Sequence, residues 1–198
     1  MQDISHIDRK QLRNEIRARR RDLSVHEQLS TARSVMETAL SQTHFPLGDH
    51  IALFMSADGE VDTGPLLNAL VSLDKCCYLP VLESATTTLQ FRRFLPDAPL
   101  VTNFFGLQEP GPDAPVIAPE DLSTVFMPLV GFDLDGNRLG MGKGYYDRTF
   151  AFLKEDHSKG PALIGLAHEC QRVEHLEAAD WDVPLGGIIT GSAFYLVR

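Results

Sequence analysis

The sequence has little cysteine and no histidine arrangement typical of a metal site. Its three cysteines, Cys76, Cys77 and Cys170, form no Cys-x-x-Cys pair, and an odd number with two adjacent members argues against a disulfide framework. The seven histidines show neither His-Glu-x-x-His nor another zinc-ligand spacing. We therefore expect free thiols, and we expect oxygen ligands for any metal the protein binds.

Long apolar runs are also missing. No stretch approaches the roughly 18 apolar residues that a membrane-spanning helix needs. The opening residues, MQDISHIDRK, lack the apolar core of a secretory signal. These absences favour a cytoplasmic protein without membrane attachment. The length of 198 residues favours one domain over residues 1–198, and we expect a monomer.

Basic side chains are outnumbered, with 18 lysines and arginines against 27 acidic residues and a net charge of -9. This balance argues against a general nucleic-acid surface. Positive charge is nevertheless concentrated near the start of the chain, at Arg9, Lys10, Arg13, Arg17, Arg19, Arg20 and Arg21. Two interpretations stay open at this point: a solvated helix face, or a site for a local polyanion such as a nucleotide triphosphate.

Hydrophobic periodicity predicts strands that alternate with helices. Helices are expected from about Ile7 to Arg21, from a Ser24–Glu27 capping box to about Ser41, in VDTGPLLNALVSL, and from about Tyr145 to Lys154. Strands are expected in HIALFMS, CCYLPVL, LQFRRF, STVFMPLVGFD, PALIGLA and GGIITGSAFYLV, with LQFRRF near an edge and a long surface connection over residues 96–121. The pattern predicts a three-layer α/β/α sandwich, Rossmann-like, with a mainly parallel twisted sheet and a helical N-terminus.

The most informative segment is NRLGMGKGYYDR, residues 137–148, which directly follows the most apolar strand. Gly140, Gly142 and Gly144 permit unusual backbone torsions and close approach of a ligand. Backbone N–H groups of such a turn suit phosphate oxygens, and Lys143 adds a positive charge at its lip. Asp147 is suited to Mg²⁺, and Arg138 to clamping an anion from the other side.

The glycine pattern alone does not identify a mechanism. It matches neither the P-loop nor the dinucleotide-binding fingerprint, and a glycine-rich turn without a ligand is a common structure. Tyr145 and Tyr146 favour a ligand, because aromatic rings with polar tips stack on flat heterocycles. We expect at least one of these tyrosines to belong to the core.

These residues together resemble the 5-formyltetrahydrofolate cyclo-ligase family, also called methenyltetrahydrofolate synthetases. PLVGFDLDGNRLGMGKGYYDR matches the family signature closely. Further segments agree in order: RKQLRNEIRARRRDLS with the basic first helix, GEVDT with the substrate loop, GLQEP, and DVPLGGIIT with the final strand. The resemblance implies an enzyme that uses ATP and Mg²⁺ to convert 5-formyltetrahydrofolate into 5,10-methenyltetrahydrofolate, ADP and phosphate.

The resemblance also implies roles for individual residues. The ATP contacts would be Arg9, Lys10, Arg13, Arg138, Leu139, Gly140, Met141, Gly142, Lys143, Gly144, Tyr145, Tyr146 and Asp147. Lys143, aided by Arg138, would act on the transferring phosphoryl group. The folate contacts would be Met55, Glu60 and residues 141–145, and the Mg²⁺ carboxylates would be Asp147 and Asp182.

Two positions depart from the family pattern. Arg9 stands where the family commonly has lysine, so either Arg9 or Lys10 is the phosphate contact, and Gly186 stands where an aspartate often follows the metal carboxylate. Other functions also stay open. One is a phosphosugar isomerase or acyl-transfer enzyme on a similar sheet, and another is a non-catalytic folate- or nucleotide-binding module. A serine hydrolase is disfavoured because the sequence has no Gly-x-Ser-x-Gly elbow.

Overall fold

A computed structural model describes residues 8–83, 86–156 and 159–197. The helices are α1 Arg9–Arg21, α2 Val25–Ser41, α3 Gly64–Ser72 and α4 Tyr145–Thr149, with 3₁₀ turns at Pro119–Asp121, Ala151–Lys154 and Glu169–Gln171. The strands are β1 His50–Ala52, β2 Cys76–Val81, β3 Gln90–Arg93, β4 Leu100–Thr102, β5 Gln108–Pro110, β6 Val116–Ile117, β7 Thr124–Pro128, β8 Gly131–Phe132, β9 Arg138–Leu139, β10 Ala162–Leu166, β11 Gly187–Ile189 and β12 Phe194–Leu196.

Eight strands form one sheet in the order β12-β11-β10-β7-β1-β2-β3-β6. The strands from β11 to β2 are mutually parallel, and the flanking strands are antiparallel, which confirms the predicted mainly parallel sheet. Numbered along the chain, the parallel strands lie in the order 2-1-3-4-5, rather than the dinucleotide-binding order 3-2-1-4-5-6. The strand order reverses between β1 and β7: β2 is added on one side of β1, and β7, β10 and β11 are added on the other. Ligands of such sheets bind beyond the carboxyl ends of the strands at this switch point.

The layers follow from the alternation of side chains along the central strands. Phe126 of β7 points into a core built with α2 and α3, whereas its neighbours Val125 and Met127 point into a second core. Phe150 and Leu153, from α4 and the 3₁₀ turn after it, cover that second face. Helical segments therefore cover both faces of the sheet, and the predicted three-layer architecture is confirmed.

Helix α1 packs against the segments that follow β7 rather than against a sheet face. Its fully buried Ile16 contacts a small core with Val130, Leu139 and Leu176. The side chain of Asp8 caps the helix by accepting from Lys10 N at 3.0 Å. Ile7, the predicted start of this helix, lies outside the described residues. The position of α1 places its arginines beside the switch point.

Three predictions of local structure are wrong in detail. Residues 96–121 contain the hairpin β4–β5 and strand β6, which escaped prediction because strands of two or three residues are too short to show a hydrophobic period. The final apolar segment folds back on itself as the antiparallel pair β11 and β12. The helix expected from Tyr145 to Lys154 is α-helical only to Thr149 and continues as a 3₁₀ turn. The prediction that LQFRRF lies near an edge is confirmed, because β3 is second from the edge of the sheet and pairs with the edge strand β6.

Candidate active site

The glycine loop joins β9 to α4 at the carboxyl end of the central strand β7. Gly142 and Gly144 have φ angles of +92° and +66°, a region in which side chains are strained, so both positions favour glycine for conformational reasons. A Cβ atom on Gly140 would meet no atom of residues 8–83, 86–156 and 159–197 within 4 Å apart from its chain neighbours, so there is open space beside Gly140. Because α4 has only five residues, charge for an anion here must come chiefly from side chains.

Two arginines of α1 reach the segments around this loop. Arg13 Nε donates to the carbonyl oxygen of Gly140 at 2.8 Å. Arg9 Nη2 donates to Asp182 Oδ2 at 3.1 Å, whereas Lys10 is exposed. The arrangement places Arg9 and Arg13 together beside the predicted triphosphate loop. It also makes Arg9, rather than Lys10, the nearer candidate for the phosphate contact.

Arg138 lies beneath the loop, buried and paired with Asp147. Its guanidinium also donates to the carbonyl oxygen of Val183, whose own N–H donates to Asp147 Oδ1 at 3.3 Å. Burial lowers the pKa of Arg138, and the charge of Asp147 acts in the opposite direction. Arg138 thus joins β9 to α4 and to the 182–183 segment, while Lys143 stands exposed at the outer lip.

The carboxylates of Asp147 and Asp182 are suited to a divalent cation. Each side chain is 19% exposed, and the two are linked because Val183, next to Asp182, donates to Asp147. In the described part of the chain, hydrogen bonds engage Oδ1 of Asp147 and Oδ2 of Asp182, which leaves the second oxygen of each for a ligand. Mg²⁺ in phosphate sites commonly has one or two carboxylate ligands, and this donor set fits that requirement.

A second group of possible metal ligands lies at the β8–β9 hairpin and stabilises its turn. Asp133, Asp135 and His175 have ligand atoms within 4.8 Å of one another. The fully buried carboxylate of Asp133, however, accepts from the backbone N–H groups of Asp135, Asn137 and Leu176 and from the Asn137 side chain. We therefore assign Asp133 a structural role in shaping the turn.

The substrate loop predicted from GEVDT follows β1, on the other side of the switch point. Glu60 is 15% exposed, and its Oε2 accepts from Ala57 N at 3.1 Å. Burial raises the pKa of Glu60, while the nearby Arg20 guanidinium acts to lower it. Asp58 and Gly59 have positive φ angles of 54° and 75°, and the chain turns here so that Glu60 accepts from Ala57 N and lies near Arg20. Met55, the predicted apolar contact, is half-buried at the start of this loop.

The two tyrosines of the motif pack against the core next to the glycine loop. Tyr146 stacks on Phe150 with 6.4 Å between ring centroids, and burial followed by the charge of Glu60 raises its pKa. Tyr145 lies under the Arg148 guanidinium, 5.4 Å from the ring centroid. Both tyrosines pack against the core on this face, as expected for at least one of them. The charge of Glu60 acts on the Tyr146 hydroxyl, so the glycine motif and the Glu60 loop lie close enough to interact electrostatically.

Sequence reasoning missed the role of three further arginines in the second half of α1. Arg17 Nε and Arg20 Nη2 reach Asp58 Oδ2 at 2.7 and 2.8 Å, and Arg21 pairs with Asp58 Oδ1. Burial acts to raise the pKa of Asp58, but these hydrogen bonds outweigh it and lower the value to about 2. The interpretation of the whole basic run as a polyanion site is therefore wrong for these three residues. The sequence could not have predicted these ion pairs, because an Asp-Gly turn has no feature that indicates arginines from a distant helix.

Comparison with known proteins supplies the deciding observation. Residues 5–191 match the model of the 5-formyltetrahydrofolate cyclo-ligase family. The chain belongs to this family. A 5-formyltetrahydrofolate cyclo-ligase of Haemophilus influenzae is 43% identical over 185 residues, which cover 92% of this chain and 97% of that protein. The family assigned from the sequence signature is thus confirmed.

Solved structures of cyclo-ligase relatives share the fold. The solution structure of Aquifex aeolicus 5,10-methenyltetrahydrofolate synthetase superposes with a TM-score of 0.81 at 29% identity, covering 96% of this chain and 93% of that one. A 5,10-methenyltetrahydrofolate synthetase from Mycoplasma pneumoniae gives a TM-score of 0.73 at 27% identity, covering 93% and 99%. The predicted α/β class therefore holds for the cyclo-ligase fold.

Proposed function

We propose that this protein catalyses the ATP-dependent cyclisation of 5-formyltetrahydrofolate to 5,10-methenyltetrahydrofolate, with release of ADP and phosphate. The observation that carries the proposal is that the glycine motif and the Glu60 loop follow β7 and β1, the neighbouring parallel strands at the switch point. Family membership and the names of the relatives support it. The same observations disfavour a phosphosugar isomerase or acyl-transfer enzyme.

The chemistry requires a triphosphate and a reduced pterin in contact. The N5-formyl group is amide-like, so its oxygen is a poor leaving group when N10 attacks the carbon. Transfer of the ATP γ-phosphoryl group to that oxygen releases ADP and makes the oxygen part of a good leaving group. N10 then attacks the formyl carbon and closes the ring, its proton passes to the departing phosphate, and the C–O bond breaks as phosphate leaves. Such a reaction depends mainly on positioning and charge neutralisation.

The glycine loop would hold the triphosphate. Its open space at Gly140 and the adjacent Arg9 and Arg13 suit the phosphates, with Arg9 now favoured over Lys10. Lys143, exposed at the lip, would neutralise charge on the transferring phosphoryl group. Arg138 would act beneath the loop by fixing Asp147 rather than by clamping the anion from outside.

The Glu60 loop would hold the pterin. An ionised Glu60 carboxylate would accept hydrogen bonds from the donor edge of the ring, and Met55 would supply an apolar contact. Residues 141–145 would lie between this ring and the triphosphate. Asp147 and Asp182 would hold Mg²⁺, which neutralises phosphate charge when bound.

An absorbance assay tests the proposal directly. We expect a near-ultraviolet band of the methenyl product when the protein is mixed with Mg²⁺, ATP and 5-formyltetrahydrofolate, and no band when ATP is omitted. A folded protein that binds nucleotide but forms no product would contradict the proposal and favour a non-catalytic binding module.

We further propose that residues 1–198 act as one domain, as a monomer in the cytoplasm and without nucleic acid. The continuous eight-stranded sheet supports a single domain, and the net charge of -9 disfavours nucleic acid. Within residues 8–83, 86–156 and 159–197, the helices are too short or too polar to cross a bilayer. Light scattering after size-exclusion chromatography checks the monomer, and a mass twice that of the chain would contradict it.

A further inference from the structure

Arg20 is a fully buried arginine at the point where the two halves of the site meet. Its Nε donates to the carbonyl oxygen of Asp58 at 2.8 Å, and its Nη1 donates to the carbonyl oxygen of Leu129 at 3.3 Å. Asp58 belongs to the loop after β1, and Leu129 follows β7. One side chain of α1 therefore binds the backbone on both sides of the switch point.

The same guanidinium carries positive charge to Glu60. Arg20 Nη1 lies 3.8 Å from Glu60 Oε1, and Arg20 Nη2 donates to Asp58 Oδ2 at 2.8 Å. Because both the guanidinium and most of Glu60 are shielded from water, this opposite charge is screened less than a surface pair would be. Arg20 is thus placed to influence the protonation of Glu60.

The charged and titratable groups around Glu60 come from four elements. Arg20 and Arg17 of α1 favour its ionised form, whereas Asp58 of its own loop opposes that form. Tyr146 of α4 is close enough to respond to the charge of Glu60. His168, buried after β10, lies beside the backbone of Gly59 and Glu60, and burial lowers its pKa. Arg20 is the fully buried cation of this set.

We propose that Arg20 is a positioning residue for folate binding, which fixes the Glu60 loop to the end of β7 and keeps a positive charge beside the Glu60 carboxylate. The inference rests on the proposed function, because it takes Glu60 as the acceptor for the pterin. Arg20 itself has no contact with the ligand in this scheme. It acts through Glu60 and through the backbone of the loop.

The test is the pH dependence of 5-formyltetrahydrofolate binding, measured by calorimetry without ATP. Folate binding should weaken at acid pH as Glu60 takes up a proton. We call the pH range over which the affinity falls the acid limb. In Arg20→Gln the opposite charge is lost while Glu60 stays buried, so this acid limb should move upward by about one pH unit. At a pH within the limb, the folate Kd should rise about tenfold, while the ATP Kd changes less than about twofold.

Three matched variants separate positioning from general stability. Arg21→Gln removes another arginine from the same Asp58 carboxylate and should leave the limb in place. Arg20→Lys restores a positive charge and should return the limb toward that of the unmodified protein. Asp58→Asn removes the opposing negative charge, and asparagine tolerates the positive φ of this position. It should move the limb to lower pH, in the direction opposite to Arg20→Gln.

Each outcome decides the inference. An acid limb that is unchanged in folded Arg20→Gln would overturn it, as would a shift of equal size in Arg21→Gln. If Arg20→Gln does not fold, Asp58→Asn decides alone, and a limb that stays in place or moves upward would overturn the role. A Glu60→Gln protein that keeps the acid limb, or an unmodified protein that does not bind folate, would instead overturn the assignment of Glu60 on which the inference rests.

Discussion

The two halves of helix α1 carry the same residue type and use it differently. Arg9 and Arg13, in the first half, reach the segments that border the glycine loop, where they lie beside open space. Arg17, Arg20 and Arg21, in the second half, converge on Asp58. The difference shows that a run of basic residues predicts positive charge but not its partner. Three arginines of the second half share one carboxylate, whereas in the first half Arg9 pairs with Asp182, a proposed metal ligand, and Arg13 binds a backbone carbonyl of the glycine loop.

The largest expected effect concerns Lys143, an exposed cation at the lip. Lys143→Ala should lower kcat by about 10²–10³, because the proposed charge acts on the transferring phosphoryl group. The free energy of unfolding should change by less than about 0.5 kcal/mol, since the side chain is exposed. Steady-state kinetics and thermal unfolding check both values. An unchanged kcat of Lys143→Ala would contradict the proposed action of Lys143 on the transferring phosphoryl group.

The carboxylate beneath the loop provides the next test. Asp147→Asn should raise the Mg²⁺ concentration needed for half-maximal activity about tenfold, because a neutral amide is a weaker ligand for Mg²⁺. A magnesium titration of the initial rate at saturating ATP measures this. Its control is Asp135→Asn, which alters an exposed carboxylate of the other acidic group. Superimposable magnesium curves for Asp147→Asn and the unmodified protein would contradict metal binding at Asp147.

A matched pair of arginines tests the comparison within α1 itself. Arg13→Gln should raise the KM for ATP about tenfold, because it removes a cation from the glycine loop. Arg21→Gln should change that KM less than about twofold, since Arg21 faces Asp58. Equal effects of the two substitutions on the KM for ATP would contradict the claim that Arg13 contacts ATP and Arg21 does not.

The smallest effect is the acid sensitivity of the Asp58 cluster. The pKa of Asp58 is lowered to about 2, so its stabilising contribution is present above the unfolded value of about 4 and is lost as the pH falls toward 2. Thermal unfolding between pH 5 and pH 2 should therefore show a shallower decline for Asp58→Asn than for the unmodified protein. Parallel declines would show that the cluster contributes no pH-dependent stability.

Sequence reasoning reached the fold because the signals for it are local. Apolar runs marked the buried parallel strands, and the Ser24–Glu27 capping box marked the start of α2, where both of its hydrogen bonds are formed. The hairpin β4–β5 escaped prediction because each of its strands has three residues, too few to show a period of two. The glycine motif predicted a loop at the correct end of the sheet, since a loop that follows a parallel strand must begin there.

The sequence by itself determined the chemistry available at this site: a glycine loop that permits close approach, a lysine at its lip, two tyrosines and several carboxylates. Only the tertiary structure decided which charges face a ligand and which face each other. Arg20 and Glu60 are far apart along the chain, and the crossing of α1 over the strand ends places them 3.8 Å apart. Electrostatic interactions depend on distance and burial, and spacing along the chain fixes neither.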